Sequence, residues 1–236
     1  MKADVKIMSR YNDGDYLSKN SDWHVQDSPW KAQQIDKIIQ RNNLIPKTIC
    51  EVGCGAGEII RQLSMKSQYA QVDFMGYEIS DDAFELCRTR TTERLKYVKE
   101  DLLEVETNFD AILCIDVFEH VENYMGFIRR LRSKGEYKIF HIPLDLSVHS
   151  LVRGRLMYWR KSVGHLHYFT PETALAALAD CGYEIIDTMY TPAFVDLPSL
   201  GWKAKIIKLP RLALFKLSPK LLSTFLGGIS LMVLAK

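Results

Sequence analysis

The sequence predicts an α/β fold, with a mostly parallel β-sheet covered by helices. From about residue 47 to 190, short apolar runs alternate with longer segments of helical period, the pattern of strands joined by crossover helices. Gly53, Gly55 and Gly57 stand directly behind the first of these runs, where a strand turning sharply into a helix needs residues without Cβ. A chain of 236 residues is long enough for one sizeable core and too short for two ordinary ones.

The elements follow in order. Ser28-Pro29-Trp30 opens a helix that carries Ile35, Ile38 and Ile39 on one face. The segment before it is polar and aromatic, with Tyr11, Tyr16, Trp23 and His24. Residues 1–46 are therefore expected to form an N-terminal helical lid over the mouth of a site in the domain 47–236. Thr48–Val52 reads as the first strand, Glu58-Ile-Ile-Arg-Gln-Leu as a helix and Val72–Tyr77 as the second strand. Ser80 is placed to cap the next helix. Leu95–Val98 gives a third strand and Phe109–Ile115 a strongly apolar fourth. Tyr124, Phe127, Ile128 and Leu131 then recur at helical spacing and predict one buried stripe, with Gly135 as the helix end.

Tyr137–Ile142 reads as the fifth strand, stopped by Pro143. Thr170-Pro171-Glu172 combines an N-cap with proline at the first helical position, Gly182 closes that helix, and Tyr183–Tyr190 is the next strand. A basic helical insertion is expected over about 197–226, and Ile229–Ala235 behind two glycines as a final strand.

Composition narrows the function. A formal charge of +2 is far from the single-sign field of a dedicated nucleic-acid binder, so no nucleic-acid partner is expected and a small-molecule or carbohydrate acceptor is favoured. Cys50, Cys54, Cys87, Cys114 and Cys181 are odd in number and lack any ligand spacing, as reduced core thiols do. The N-terminus lacks the apolar stretch of a secretory signal, and no uncharged apolar run reaches the roughly 20 residues needed to cross a bilayer. The expectation is a cytoplasmic protein.

The chemistry is carried by Glu51-Val-Gly53-Cys54-Gly55-Ala-Gly57. Glycines at a strand-to-helix turn let a nucleotide-like cofactor approach the main chain closely. About twenty residues on, Glu78 falls at the end of the second strand, where a carboxylate accepts hydrogen bonds from ribose hydroxyls. The spacing is Gly-x-Gly-x-Gly, and the acid Glu51 lies two residues before the first glycine. A pyrophosphate beside that acid is electrostatically disfavoured, which opposes a nicotinamide oxidoreductase, whereas a cationic aminoacyl group tolerates it.

Here the sequence resembles the class I S-adenosylmethionine-dependent methyltransferases, whose first motif is Glu/Asp-x-Gly-x-Gly-x-Gly. The likeness continues in order through Tyr97-Val-Lys-Glu-Asp101-Leu102 and Asp110-Ala-Ile-Leu-Cys-Ile-Asp116-Val-Phe-Glu119-His120-Val. It covers roughly residues 47–190. With His165-Leu-His167-Tyr-Phe-Thr-Pro-Glu, it is most similar to the small-molecule branch called type 11 or type 23. The resemblance implies a Rossmann-like methyltransferase fold, with helices on both faces of a seven-stranded sheet whose last strand is antiparallel. It implies S-adenosyl-L-methionine as cofactor, held by Glu51, Gly53, Cys54, Gly55 and Gly57 at the methionine end, Glu78 at the ribose, and Ile79, Asp101 and Leu102 at the adenine. Asp116 would border the reacting methyl.

A hydroxyl acceptor needs a base, and histidine suits neutral pH. His24, His120, His141, His149, His165 and His167 are the histidines, five of them after the fourth or fifth strand. The expected catalytic residues are His120, Asp116 and His167. No metal is expected. Asp116-x-x-Glu119-His120 is similar to a Glu-x-x-Glu-His cluster that holds a divalent cation in some branches, but Asp116 departs from it. Residues 202–220 mix aliphatics with lysine and arginine and contain no acid. They fit either a helical insertion packed on the sheet edge or weak peripheral membrane contact.

The expectation is O-methylation of a small molecule such as a sugar, a polysaccharide precursor or a secondary metabolite. The alternatives are a catalytically silent cofactor-binding partner subunit, or a methyltransferase acting on nitrogen, carbon or RNA. The low net charge and the absence of an Asn-Pro-Pro-Tyr-like motif oppose RNA.

Overall fold

The computed structural model describes residues 25–193 and 202–236. The segment 1–24, including Tyr11, Tyr16, Trp23 and His24, lies outside the described residues, as does 194–201. The seven strands are β1 (Thr48–Val52), β2 (Asp73–Tyr77), β3 (Leu95–Val98), β4 (Phe109–Ile115), β5 (Gly135–Pro143), β6 (Ile185–Thr191) and β7 (Ser230–Ala235). They form one sheet in the order β3-β2-β1-β4-β5-β7-β6. β1 to β5 pair in parallel, and β7 runs antiparallel to both its neighbours.

Burial on both faces explains the continuous apolar strands. In β4, Ala111, Leu113 and Ile115 face one core with Ile35, Ile38 and Ile39 of α1 (Ser28–Arg41) and Ile60 and Leu63 of α2 (Glu58–Ser64). Ile112 and Cys114 face the other, with Ile128 and Leu131 of α4 (Tyr124–Leu131) and Ala174 and Leu178 of α7 (Pro171–Asp180). Each large aliphatic side chain buried this way contributes about 1.5–3 kcal/mol. Ser80 caps α3 (Asp81–Cys87) by accepting from Ala83 N, and Thr170 with Thr173 forms a capping box on α7.

Three details differ from expectation. Gly135 does not end a helix. Its φ of −172° is extended and it starts β5, where a Cβ would meet the Phe109 carbonyl oxygen at 2.8 Å. Between β5 and α7 the chain forms two further helices, α5 (Val148–Val152) and α6 (Arg155–Ser162), the latter with no buried residue. The basic segment is two helices, α8 (Trp202–Leu217), with Pro210 inside it, and α9 (Pro219–Phe225).

The strand order places the site. After β1 the chain crosses to β2 on one side, while β4 lies on the other. The connections leaving β1 and β4 therefore part company and open a crevice at the carboxyl ends of these strands.

Candidate active site

A cavity of about 370 Å³ occupies that crevice. Glu51, Gly53, Cys54 and Gly55 from the end of β1 line it, with Ile115, Asp116 and His120 from the end of β4. The turn after β1 is left-handed at Gly53, Gly55 and Gly57, with φ of 63°, 54° and 74°, a conformation that favours glycine. Gly57 lies outside the cavity lining. Its reason is packing, since a Cβ there would fall 2.4 Å from the Tyr97 ring.

Glu51 is buried, and its Oε2 has no hydrogen-bond partner. Burial pushes its carboxyl well above the usual range, against the pull of Lys31. The carboxyl keeps a main-chain hydrogen bond at Ile60, and its second, unpartnered oxygen at the cavity wall fits a cationic aminoacyl group.

Glu78 is also buried, and its carboxylate is already busy. Oε2 accepts from Gly55 N at 2.8 Å, and Oε1 accepts from Ile79 N and Ser80 N at 2.8 Å each. Burial raises its pKa despite these three bonds. Ile79 is exposed. Asp101 accepts from Leu103 N at 2.9 Å, and the Leu102 side chain is fully buried in the core, which leaves only its main chain to meet a ligand. None of these four residues lines the cavity around Glu51 and Asp116.

Asp116 sits at φ 54°, a left-handed conformation uncommon outside glycine. Side-chain pairing holds it there: Oδ1 accepts from His141 Nδ1 at 2.6 Å and Oδ2 pairs with Lys31 Nζ at 2.8 Å. Burial alone would raise its pKa, but His141 and Lys31 prevail and hold the carboxyl well below the usual range. His141 Nε2 lies 2.9 Å from Thr191 Oγ1, and the Trp30 ring meets the His141 ring edge-on. Helix α1 and the ends of β4, β5 and β6 are thus tied through one carboxylate. Lys31, His141 and Thr191 were not anticipated from sequence, because their partners lie far away in the chain; the only available sign was that His141 falls near the carboxyl end of the fifth strand.

The expected histidines separate. His120 and His165 line the cavity, with ring centroids 4.9 Å apart. His165 Nδ1 donates to Asp145 Oδ2 at 2.5 Å. His167 does not line the cavity. Its Nε2 donates to the carbonyls of Val121 and Glu122 at 3.0 and 3.1 Å and its ring packs on Tyr124, so it fastens the post-β4 loop to the segment before α7. Glu119 is buried and neither carboxylate oxygen has a hydrogen-bond partner. Burial first, and then the Asp116 charge, push it well above the usual range. Glu119, His120 and His165 each offer one ligand atom, all within 4.8 Å of one another.

Comparison with known proteins agrees with this architecture. A methyltransferase domain family matches residues 27–188. The ubiquinone biosynthesis O-methyltransferase of Rickettsia bellii (strain OSU 85-389) is 30% identical over 109 residues, 43% of this chain and 45% of the relative. That relative is therefore matched over less than half its length. Among solved structures, the plantazolicin methyltransferase BpumL in complex with SAH superposes with a TM-score of 0.64 at 16% identity, over 98% of this chain and 93% of that one. Magnesium protoporphyrin IX methyltransferase from Synechocystis PCC 6803 with bound SAH gives 0.59 at 15%, over 88% and 82%. At such identities the structural likeness speaks for the fold. Taken with the family match over most of the chain and the glycine turn behind β1, it places this protein in the methyltransferase domain family, among the class I S-adenosylmethionine-dependent methyltransferases.

Proposed function

We propose that this methyltransferase transfers a methyl group to a hydroxyl of a small molecule, with His120 as the base. The observation that carries the reading is that His120, from the end of β4, lines the same cavity as Glu51, the glycine turn and Asp116. S-adenosylmethionine supplies a sulfonium methyl that is already strongly electrophilic, so the protein's part is alignment and proton removal. Asp116 cannot be the base: both its oxygens are engaged and its proton affinity is depressed. It positions Lys31 and His141. His120 is the residue of the β4 loop on the cavity wall that carries an imidazole, the side chain suited to proton removal. The match to an O-methyltransferase over part of the chain supports oxygen as the acceptor atom.

The test is methyl transfer from labelled S-adenosylmethionine to a panel of phenols, catechols and sugars, each beside an analogue with the hydroxyl replaced by hydrogen. Label should appear only where a hydroxyl is present. Transfer to amines or carbon with hydroxyls left untouched overturns the reading.

A further inference from the structure

Two segments distant in sequence, 146–163 and 202–236, contain no Asp or Glu, although the chain has 29 acids in all. The first carries Arg153, Arg155, Arg160 and Lys161. The second carries Lys203, Lys205, Lys208, Arg211, Lys216 and Lys220 before β7, of which Lys220 pairs with Glu172 of α7; Lys236, at the other end of β7, pairs with Glu136 and lies apart from the layer. The fold brings them together: α5 packs on α6, α9 on α5 and α8 on α9. A Cβ on Gly227, just past α9, would meet Ser147 Oγ at 2.7 Å, and Arg211 of α8 donates to the Gly227 carbonyl.

This helical layer is unusually apolar on its outside. Of the thirteen exposed large hydrophobic residues among the described ones, nine lie on it, including Val152 and Leu217 at 80% exposure each, Met157, Tyr158 and Phe225. Helix α6 buries none of its residues, so its apolar side chains serve no core. Topology sets the location. α5 and α6 follow the carboxyl end of β5, and α8 and α9 lead into β7, whose antiparallel start lies at that same end. That is the end where the cavity opens, and Trp159 of α6 and Val163 just past it line the cavity itself.

Exposed apolar side chains interleaved with cations, on helices that carry no acid of their own, match an anionic lipid surface, which takes the former into its headgroup region and attracts the latter. Nucleic acid would leave the apolar residues without a partner. A second copy of the same face would set cations against cations. No described helix is long and apolar enough to cross a membrane, so the layer lies on a surface. We infer that α5, α6, α8 and α9 form a docking face for an anionic bilayer, with the cavity mouth turned toward the lipid. The docking itself is independent of which acceptor atom is methylated.

The full-length protein is floated with vesicles of phosphatidylcholine alone and of phosphatidylcholine with about one third phosphatidylglycerol. It should float with the anionic vesicles, less so at high salt, and stay behind with the neutral ones. Replacing exposed cations by Arg153→Glu, Arg155→Glu and Lys216→Glu should weaken partitioning at least about fivefold per site. Val152→Ser with Leu217→Ser should weaken it while leaving the salt dependence in place. All variants should keep wild-type cofactor affinity and melting temperature, which separates lost docking from lost folding. Absence of flotation, equal binding to both vesicle types, wild-type partitioning of the variants, equal affinity for a nucleic acid, or a dimer dispersed by the same substitutions would overturn the inference.

Discussion

Glu78→Ala removes more than a ribose contact. In the structure its carboxylate accepts three main-chain N–H groups, from Gly55, Ile79 and Ser80, each at 2.8 Å. The Gly55 bond spans 23 positions and fastens the glycine turn to the end of β2. A hydrogen bond to a charged group contributes about 1.5–3 kcal/mol net. Ile79 is exposed, so water replaces part of what is lost, and burial already offsets part of the gain by raising the Glu78 pKa. A net loss of about 3 kcal/mol is expected, which for a domain of this size lowers the melting temperature by about 6–12 °C. Cofactor affinity should fall by a further factor of about 10–150, the scale of one charge-assisted bond, plus the effect of a loosened turn. Glu78→Gln keeps one acceptor oxygen but brings an NH₂ group into the set of donors, and should lie between wild type and Glu78→Ala. Differential scanning fluorimetry with and without S-adenosylmethionine, beside calorimetric titration, reads both quantities. If Glu78→Ala melts within about 1 °C of wild type and binds cofactor equally well, Glu78 neither organises the turn nor meets the ribose.

Three further outcomes are expected. His120→Ala should lower turnover by about 10²–10⁴ with cofactor affinity nearly intact, and chelator should leave wild-type turnover unchanged; loss of activity on chelation, restored by Mg²⁺ or Mn²⁺, would instead give Glu119, His120 and His165 to a cation. Gly55→Val, at φ 54° and on the cavity wall, should abolish detectable S-adenosylmethionine binding in calorimetry, and wild-type affinity would remove the turn from the cofactor site. Burial raises the Glu51 pKa, so in the free protein it takes up a proton above the usual carboxylate range; a cationic ligand must expel that proton, and affinity should therefore fall as pH drops through the raised value and level off above it. Titration in buffers of different ionisation enthalpy reads the proton release, Glu51→Gln should flatten the pH profile, and a flat wild-type profile would refute the assignment.

The legible parts of this fold were those governed by local pattern. β4 announces itself because both faces are buried, which makes Ala111 to Ile115 one apolar run. The stripe of α4 and the cap of α7 follow from helical spacing and backbone chemistry. Gly135 misled for a physical reason: a glycine behind a helix usually ends it, whereas this one admits the close approach of the Phe109 carbonyl. Helix α6 was not legible because Leu156, Met157, Tyr158 and Trp159 stand in a row, which defines no inward face, and none is buried. Near the cavity, the positions of Glu51, Glu78 and Asp116 at strand ends were legible from the strand pattern. The Lys31–Asp116–His141 set was not, because it joins residues 85 and 25 positions apart, the first by ion pairing and the second across strand ends. His120 and His167 look equivalent in sequence, and only the fold separates the one at the cavity from the one bonded to the Val121 and Glu122 carbonyls.

The opposite displacement of two carboxyls on one cavity wall assigns their tasks. Asp116 is ionised because Lys31 and His141 outweigh its burial, and that charge is spent internally: it fixes a left-handed residue at the end of β4 and draws α1 onto the sheet. Glu51 has only the more distant influence of Lys31 and a main-chain hydrogen bond at Ile60 against its burial and is driven toward the neutral acid, so under the proposed cofactor assignment its charge is released when a cation arrives to match it. One carboxylate thus builds the cavity and the other responds to what enters. Environments that push two acids apart in this way separate their roles, which is consistent with the proposed use of the His120 imidazole on the same wall as the base. Because Lys31 belongs to α1, truncating the chain before β1 would unpair Asp116 as well as expose Ile35, Ile38 and Ile39, so α1 is part of the site's electrostatics and not only of its cover.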